Sequence, residues 1–160
     1  MKFIKQAVPY VVIFITVVLI RTFIATPVIV SGSSMDETLH DGEVLLLKKY
    51  DHSYNRNDII VFDFQDSKLV KRIIGLPGEH IKYQDGVLYV NGEAVEDKFS
   101  SITEDYDLNY LGIDTIPEDY YFVLGDNRTK SSDSRIIGLV NIDDINGTTS
   151  FRIWPIGSIN

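Results

Sequence analysis

Two segments of the sequence carry side chains that could form a nucleophile and its base. Ser33 and Ser34 lie in the small-residue turn Ser31-Gly32-Ser33-Ser34-Met35, and Lys71 lies in Leu69-Val70-Lys71-Arg72-Ile73-Ile74. A serine hydroxyl becomes a strong nucleophile when a base removes its proton, and a neutral lysine amine can be that base. Each segment alone also has an ordinary explanation, because serines near glycine are common in loops and lysines often reach solvent from strand edges.

The neighbours of Lys71 determine whether it could act as a base. Strand alternation places Lys71 on one face with Leu69 and Ile73. An unperturbed lysine has a pKa near 10.4, so only about one in a thousand is neutral near pH 7. Burial can lower that pKa by roughly 3–5 units, which is the shift that a general base needs. A lysine that extends to solvent from the strand edge is the alternative.

A third polar segment follows the apolar run Tyr120–Leu124 and reads Gly125-Asp126-Asn127-Arg128-Thr129-Lys130-Ser131-Ser132-Asp133-Ser134-Arg135. Asp and Asn side chains cap backbone groups in turns, and arginine can bind a carboxylate through two parallel hydrogen bonds. The simplest interpretation is a stiff, well-capped loop that could hold a neighbouring segment in place.

The composition excludes several other chemistries. There is no cysteine, and His40, His52 and His80 do not form a zinc-binding spacing, so we expect no metal and no other cofactor. Residues 22–160 carry 12 basic and 23 acidic side chains, a net charge of −11. Such a surface repels phosphate groups, so nucleic acid is not an expected partner and any membrane contact must be apolar.

The N-terminus predicts a membrane anchor. The uncharged run Gln6–Ile20 would span only about 22 Å as a helix, but Ala7–Thr26 crosses a bilayer of roughly 30 Å if Arg21 extends its guanidinium outward. A cleavable secretory signal is the alternative, and it is disfavoured because Phe23 would occupy a position that requires a small residue. Lys2 and Lys5 place the N-terminus in the cytoplasm and the acidic body outside.

The remaining elements must position the polar segments. Short apolar runs separated by turn residues predict strands at Glu43–Leu47, Ile59–Phe64, Leu69–Ile74, Val87–Val90, Tyr120–Leu124 and Thr149–Trp154. Asp85-Gly86 and Asn91-Gly92 flank one run and predict tight hairpin turns. We therefore predict a mostly β, antiparallel domain over residues 27–160, with Glu96–Ile116 as a long loop, behind an anchor at residues 1–26.

Taken together, three segments resemble the sequence boxes of bacterial type I signal peptidases, in the family's order and nearest to its short Gram-positive forms. They are Ser34-Met35-Asp36-Glu37-Thr38-Leu39, Val70-Lys71-Arg72-Ile73-Ile74-Gly75-Leu76-Pro77-Gly78 and the segment from Gly125 to Arg135. The resemblance runs from the anchor to Phe151-Arg152-Ile153-Trp154-Pro155, and it implies a membrane serine protease that removes signal peptides from secretory preproteins.

The resemblance also implies roles for individual residues. Ser34 would be the nucleophile, Lys71 the base, and the backbone N–H of Ser34 part of the oxyanion hole. Gly32 stands where some relatives have a hydroxyl donor, so that donor is missing here. Ser131 would orient the Lys71 amine, and Asp126, Asp133 and Arg135 would brace the site. The pockets for the small residues at −3 and −1 of the substrate would be lined by Val28, Val30, Met35, Leu39, Leu69 and Val70, which stand at the positions that line these pockets in the family.

Two further features follow from the resemblance. Phe151–Pro155 would rest on the lipid bilayer, with Trp154 at its interface, although a core strand is the alternative. Glu37 stands where the family usually has proline, and we expect Glu37→Pro to retain or improve cleavage unless the turn is built around the glutamate.

Four other functions are less consistent with the sequence. A non-catalytic homologue would not need both Ser34 and Lys71, and a self-cleaving regulator would carry a DNA-binding module. Penicillin-binding enzymes use Ser-x-x-Lys, which does not occur in this sequence. A Ser-His signal peptidase would need histidine in place of Lys71.

Overall fold

A single long helix precedes a β-sheet body. The computed structural model describes residues 2–49 and 53–159. Helix α1 (Lys2–Phe23) has 22 residues, about 33 Å at 1.5 Å per residue, and its stretch Gln6–Phe23 is long and apolar enough to cross a membrane. The expected span Ala7–Thr26 is wrong at its end, because a strand begins at Ala25. The helix attains its length by starting at Lys2 instead.

The described residues form twelve strands, two α-helices including α1, and three 3₁₀ turns. The strands are β1 (Ala25–Ile29), β2 (Val44–Lys48), β3 (Ile59–Phe64), β4 (Ser67–Gly75), β5 (Ile81–Gln84), β6 (Val87–Val90), β7 (Glu93–Val95), β8 (Tyr106–Asp107), β9 (Tyr120–Leu124), β10 (Val140–Asn141), β11 (Ile145–Trp154) and β12 (Gly157–Ser158). The second helix, α2 (Ser134–Ile137), is one turn long, and the 3₁₀ turns are Ser100–Ile102, Leu108–Leu111 and Ile142–Asp144.

Two antiparallel sheets make up the body. The larger has the order β1-β2-β11-β3-β4-β9-β10, with β12 paired to β11, and the smaller has the order β7-β6-β5-β8. The predicted antiparallel, mostly β fold is confirmed, and the six predicted strands coincide with β2, β3, β4, β6, β9 and β11 within a few residues. Strand β4 lies inside the large sheet, between β3 and β9. Lys71 is paired with Ile60 of β3, and the next residue, Arg72, is paired with both β3 and β9.

The predicted hairpins belong to the small sheet. Asp85 and Gly86 have φ values of 51° and 74° between β5 and β6, and Asn91 and Gly92 have 52° and 85° between β6 and β7. Positive φ at two successive residues is typical of tight hairpin turns. The prediction at both turns is confirmed. Residues 96–116, expected as a loop, contain strand β8 and two of the 3₁₀ turns.

The cores join the elements that matter for the site. One cluster packs the small sheet on the large one and includes Ile81, Tyr83 and Phe122. Another lies beneath the serine turn and contains Val30, Met35, Leu39, Leu45 and Ile59, each at most 4% exposed. Because Met35 and Leu39 are buried there, the turn that carries Ser34 is anchored in the core on one side.

Candidate active site

The structure brings Ser34 and Lys71 together from two separate elements. Ser34 lies in the turn that follows β1, and Lys71 lies on β4. The Lys71 Nζ donates hydrogen bonds to Ser34 Oγ at 2.7 Å and to the Val70 carbonyl at 3.0 Å. A neutral amine at this distance could accept the hydroxyl proton directly. The alternative that Lys71 extends to solvent is wrong, because the residue is only 2% exposed.

Burial changes the acidity of Lys71. Removal from water disfavours the ammonium form and lowers the pKa of Lys71 to about 8, although the charges of Asp133 and Asp126 act in the opposite direction. With that pKa, roughly one amine in ten is neutral at pH 7 and half are neutral at pH 8. The ordinary lysine pKa would leave only about one in a thousand neutral at pH 7.

The 125–135 loop holds the serine turn in place. The backbone N–H of Asn127 donates to the Ser34 carbonyl at 3.1 Å, and its side-chain amide donates to the Ser33 carbonyl at 2.9 Å. A methyl group added at Gly125 would overlap both the Ser34 carbonyl oxygen and Ser131 Oγ. The loop and the turn are therefore in direct contact, and only glycine allows the backbones to approach so closely.

Two carboxylates of this loop are buried and paired with arginines. Asp126 accepts from the Arg72 guanidinium at 2.8 and 2.6 Å, and Asp133 accepts from Arg135 at 2.8 and 2.9 Å. Asp133 also accepts from the Gly125 N–H at 3.1 Å and caps helix α2. Paired, two-pronged contacts of this kind fix a loop rather than react. Asp126, Asp133 and Arg135 thus have the contacts of bracing residues.

Ser131 does not form the contact with Lys71 that the resemblance implied. Its Oγ is buried and has no hydrogen-bond partner among the described residues, while the Lys71 amine is bonded to Ser34 and Val70. Ser131 Oγ instead lies close to Gly125, on the side that faces the Ser34 carbonyl. Within the described part of the chain, the amine is oriented by Ser34 and Val70.

Glu37 has a backbone conformation that proline cannot adopt. Its φ is +90°, whereas the proline ring fixes φ near −65°. The backbone of this turn does not fit proline, so we now expect Glu37→Pro to lose cleavage rather than to retain it. Gly32 also has positive φ, at 89°, and its N–H donates to Asp41 Oδ1 at 2.8 Å. Its N–H is thus already used within the turn.

A small pocket of about 60 Å³ opens beside the Ser34 and Lys71 side chains. Five of the six residues expected to line it do so, namely Val28, Val30, Met35, Leu69 and Val70. Leu39 is the exception, because it is fully buried in the core beneath the serine turn. This volume is far below the roughly 300–1,000 Å³ of ordinary ligand sites, so the pocket suits a small side chain better than a large one.

The sequence reasoning missed one buried network. The Arg128 guanidinium donates to Asp97 at 2.6 and 2.9 Å and to the Gly125 carbonyl at 3.0 Å, and Asp97 also accepts from the Tyr83 hydroxyl at 2.7 Å. This pair ties residues 96–116 to the loop behind Ser34. Arg72 and Asn127 were likewise not assigned. No sequence signal distinguishes Asp97 from the many exposed acids of the chain.

The described part of the chain has no group of three or more His, Asp or Glu side chains that could hold a metal ion. His52, one of the histidines considered above, lies outside that part.

Comparison with known proteins gives consistent matches. The family model described as "Signal peptidase, peptidase S26" matches residues 2–154. A signal peptidase I from Bacillus licheniformis is 38% identical over 159 residues, covering 88% of this chain and 83% of the relative. A signal peptidase IB from Staphylococcus aureus is 36% identical over 171 residues, covering 95% and 87%.

A solved structure is also similar. The crystal structure of a signal peptidase I from Enterococcus faecalis superimposes with a TM-score of 0.56 at 37% identity. The match covers 60% of this chain and 96% of the crystallised one. Its fold agrees with the two-sheet body described above.

Proposed function

This chain belongs to the signal peptidase family, peptidase S26, and from that premise we propose that it removes signal peptides with Ser34 as nucleophile and Lys71 as general base. Members of this family are serine endopeptidases anchored in a membrane, and helix α1 suits that anchor. The observation that carries the proposal is the 2.7 Å contact between the buried Lys71 amine and Ser34 Oγ.

The proposed reaction has two halves. In the first, neutral Lys71 takes the Ser34 proton while Oγ attacks the scissile carbonyl, and the resulting ammonium gives that proton to the departing amine. In the second, Lys71 takes a proton from water, which attacks the acyl-enzyme ester. The ester bond to Ser34 Oγ then breaks, the Lys71 ammonium returns the proton to Oγ, and the signal peptide leaves with a free carboxylate. The backbone N–H of Ser34 would stabilise the oxyanion, without a side-chain donor at Gly32.

Substrate selection would follow from the size of the pocket. A volume of about 60 Å³, lined by apolar side chains such as Val30 and Val70, favours alanine-sized residues at −3 and −1 of the preprotein. Leucine or phenylalanine at these positions would clash with a wall that is part of the core. We therefore propose secretory preproteins with small residues at −3 and −1 as substrates.

The membrane is the second proposed partner. Residues 1–24 would contain the cytoplasmic tip and the single span, and the catalytic domain, which begins with β1 at Ala25, would lie on the extracytoplasmic side. Ile29 and Trp154 both lie beside Val44 at one end of the large sheet and are 69% and 68% exposed. Exposed apolar groups on a domain that is tethered to a membrane are suited to contact with the lipid bilayer.

The test is a cleavage assay with the purified full chain in detergent and a preprotein that bears an Ala-x-Ala site. Ser34→Ala and Lys71→Ala should each lower kcat/KM by more than about 10³-fold, because removal of either partner of a nucleophile and base disables the unit. The exposed positions Ser33→Ala and Lys130→Ala, whose side chains do not line the small pocket, are the matched controls and should stay within about threefold of wild type. Undiminished cleavage by either dyad variant would overturn the assignment.

A further inference from the structure

A second and larger pocket lies against the 125–135 loop. It has a volume of about 360 Å³ and lies between residues 102–106 and residues 128–136. Peptide and ligand sites usually have volumes of roughly 300–1,000 Å³, so this pocket is large enough for several side chains. Neither the Ser34 hydroxyl nor the Lys71 amine lines it.

The pocket nevertheless begins next to the nucleophile. Ser131 is part of its wall, and a methyl group at Gly125 would overlap both Ser131 Oγ and the Ser34 carbonyl. The small pocket is lined by Ser34 itself and by residues of β1 and β4. Because the wall of the larger pocket reaches the serine turn through Ser131, a peptide that places the residues before the cut in the small pocket has the larger pocket nearby for the residues after the cut.

Two buried hydroxyls in the wall of the larger pocket lack partners. Ser131 Oγ and Tyr106 Oη make no hydrogen bond within residues 2–49 and 53–159, although Ser131 and Tyr106 are only 6% and 7% exposed. Buried polar groups are nearly always hydrogen-bonded in folded proteins. Both oxygens are covered in this structure, so a bound peptide backbone, with a donor and an acceptor in each residue, would supply the missing partners only if the wall moves to uncover them.

The charges around this pocket favour a cation. Glu104 and Asp105 are exposed in its wall, and neither forms an ion pair with any described residue. The arginines in the same wall are already used, because Arg128 is paired with Asp97 and Arg135 with Asp133. The net charge available to a ligand is therefore negative.

Apolar groups complete the pocket. Ile102 and Ile136 lie in its wall and are 50% and 73% exposed. Lysine and arginine have apolar stems that can cover such side chains while their charged ends reach a nearby carboxylate. Glutamate or aspartate in the same place would meet Glu104 and Asp105 with like charge.

We infer that this pocket binds the mature segment of the preprotein, just after the cut, and selects lysine or arginine there over glutamate or aspartate through Glu104 and Asp105. The inference rests on the proposed function for its substrate. It assigns to residues 102–106 a role in specificity, separate from the small-residue selection before the cut.

The test compares two preproteins that share one signal peptide and Ala-x-Ala site and differ only at the second and third mature residues, Lys-Lys in one and Glu-Glu in the other. Surface ion pairs contribute up to about 1 kcal/mol each, so the wild type should cut the Lys-Lys form with a kcat/KM roughly 3- to 10-fold higher. Glu104→Lys should lower this ratio at least about threefold, and high salt should lower it as well, because exposed charges are screened.

Glu118→Lys is the matched control, because it makes the same charge change at an exposed position outside the pocket. It should leave the ratio unchanged. Equal rates for both preproteins in the wild type, or equal effects of Glu104→Lys and Glu118→Lys, would overturn the inference. If neither preprotein is cut, the proposed function fails. The relative binding of the two to Ser34→Ala protein in detergent then decides about the pocket, with tighter binding of the Lys-Lys form expected.

Discussion

Replacement of Lys71 by methionine should abolish cleavage and stabilise the fold. Lys71 is 2% exposed and sits on a central strand, so its ammonium form is held away from water. Methionine keeps an unbranched stem of similar length and removes the charge. The neighbouring carboxylates do not lose their partners, because Asp126 and Asp133 are paired with Arg72 and Arg135.

The size of the effect follows from the pKa of Lys71, which burial lowers from 10.5 to about 8. At about 1.4 kcal/mol per pH unit, that difference corresponds to about 3 kcal/mol. Between pH 8 and 10.5 the unfolded chain binds more protons at this site than the folded one, so wild-type stability rises with pH across this window. Below pH 8 the full cost is present, and above 10.5 it is absent.

The measurement is thermal unfolding of the full chain in detergent, followed by circular dichroism at several pH values. Lys71→Met should raise Tm by roughly 6–12 °C at pH 7, since 1 kcal/mol corresponds to about 2–4 °C for a chain of this size. The gain should shrink as pH approaches 10.5. Lys130→Met, at an exposed position of the 125–135 loop, is the control and should change stability by less than about 0.5 kcal/mol.

Two results would refute this reasoning. A Lys71→Met protein less stable than wild type at pH 7 would show that the amine contributes more through its contacts than its burial costs. A gain of equal size at pH 7 and pH 10 would show that packing, and not the charge, is responsible.

Three further predictions concern the same site. The kcat/KM of cleavage should fall about tenfold for each pH unit below pH 8 and level off above pH 8, because only neutral Lys71 can act as the base. A kcat/KM that does not change between pH 6 and pH 8 would contradict this prediction. Glu37→Gly should keep activity and equal or exceed wild-type stability, because glycine readily adopts a φ of +90°. Glu37→Pro should lose most activity, because proline cannot adopt this φ. Glu37→Ala is the control, and equal activity of the three variants would contradict this prediction. Asp97→Asn should destabilise the chain by roughly 3–5 kcal/mol and lower kcat more than it raises KM, because it leaves Arg128 buried without its charge partner. Glu96→Gln, at the exposed neighbouring position, is the control and should change neither stability nor kcat. Similar effects of the two variants would contradict this prediction.

Local signals explain why much of the fold could be predicted. Asp85-Gly86 and Asn91-Gly92 determine their turns through positive φ, which depends on few other residues. Strand β1 was missed because Ala25–Ile29 continues the apolar pattern of the helix before it. The sheet order could not be predicted either, since β11 lies between β2 and β3 and its pairing depends on contacts far apart in sequence.

The candidate site likewise has features that could be predicted from the sequence and features that could not. The types of Ser34 and Lys71 and their order in the chain were visible in the sequence, and the structure adds the 2.7 Å contact and the burial. The φ of Glu37 could not be predicted, because the turn around it is fixed by the burial of Met35 and Leu39 in a core whose other members are far away in sequence. Asp97 was invisible because its partner lies 31 residues away.

The arginine partners connect the stability of the 125–135 loop to the chemistry of Lys71. Asp133 and Asp126 both raise the pKa of Lys71, but burial outweighs them and the pKa falls to about 8. Each carboxylate is engaged by two hydrogen bonds from its own arginine, which offset much of its negative charge at the amine. Without Arg72 or Arg135, the same carboxylates would stabilise the ammonium form more strongly. The ion pairs that brace the loop therefore also help to keep Lys71 able to accept a proton near neutral pH.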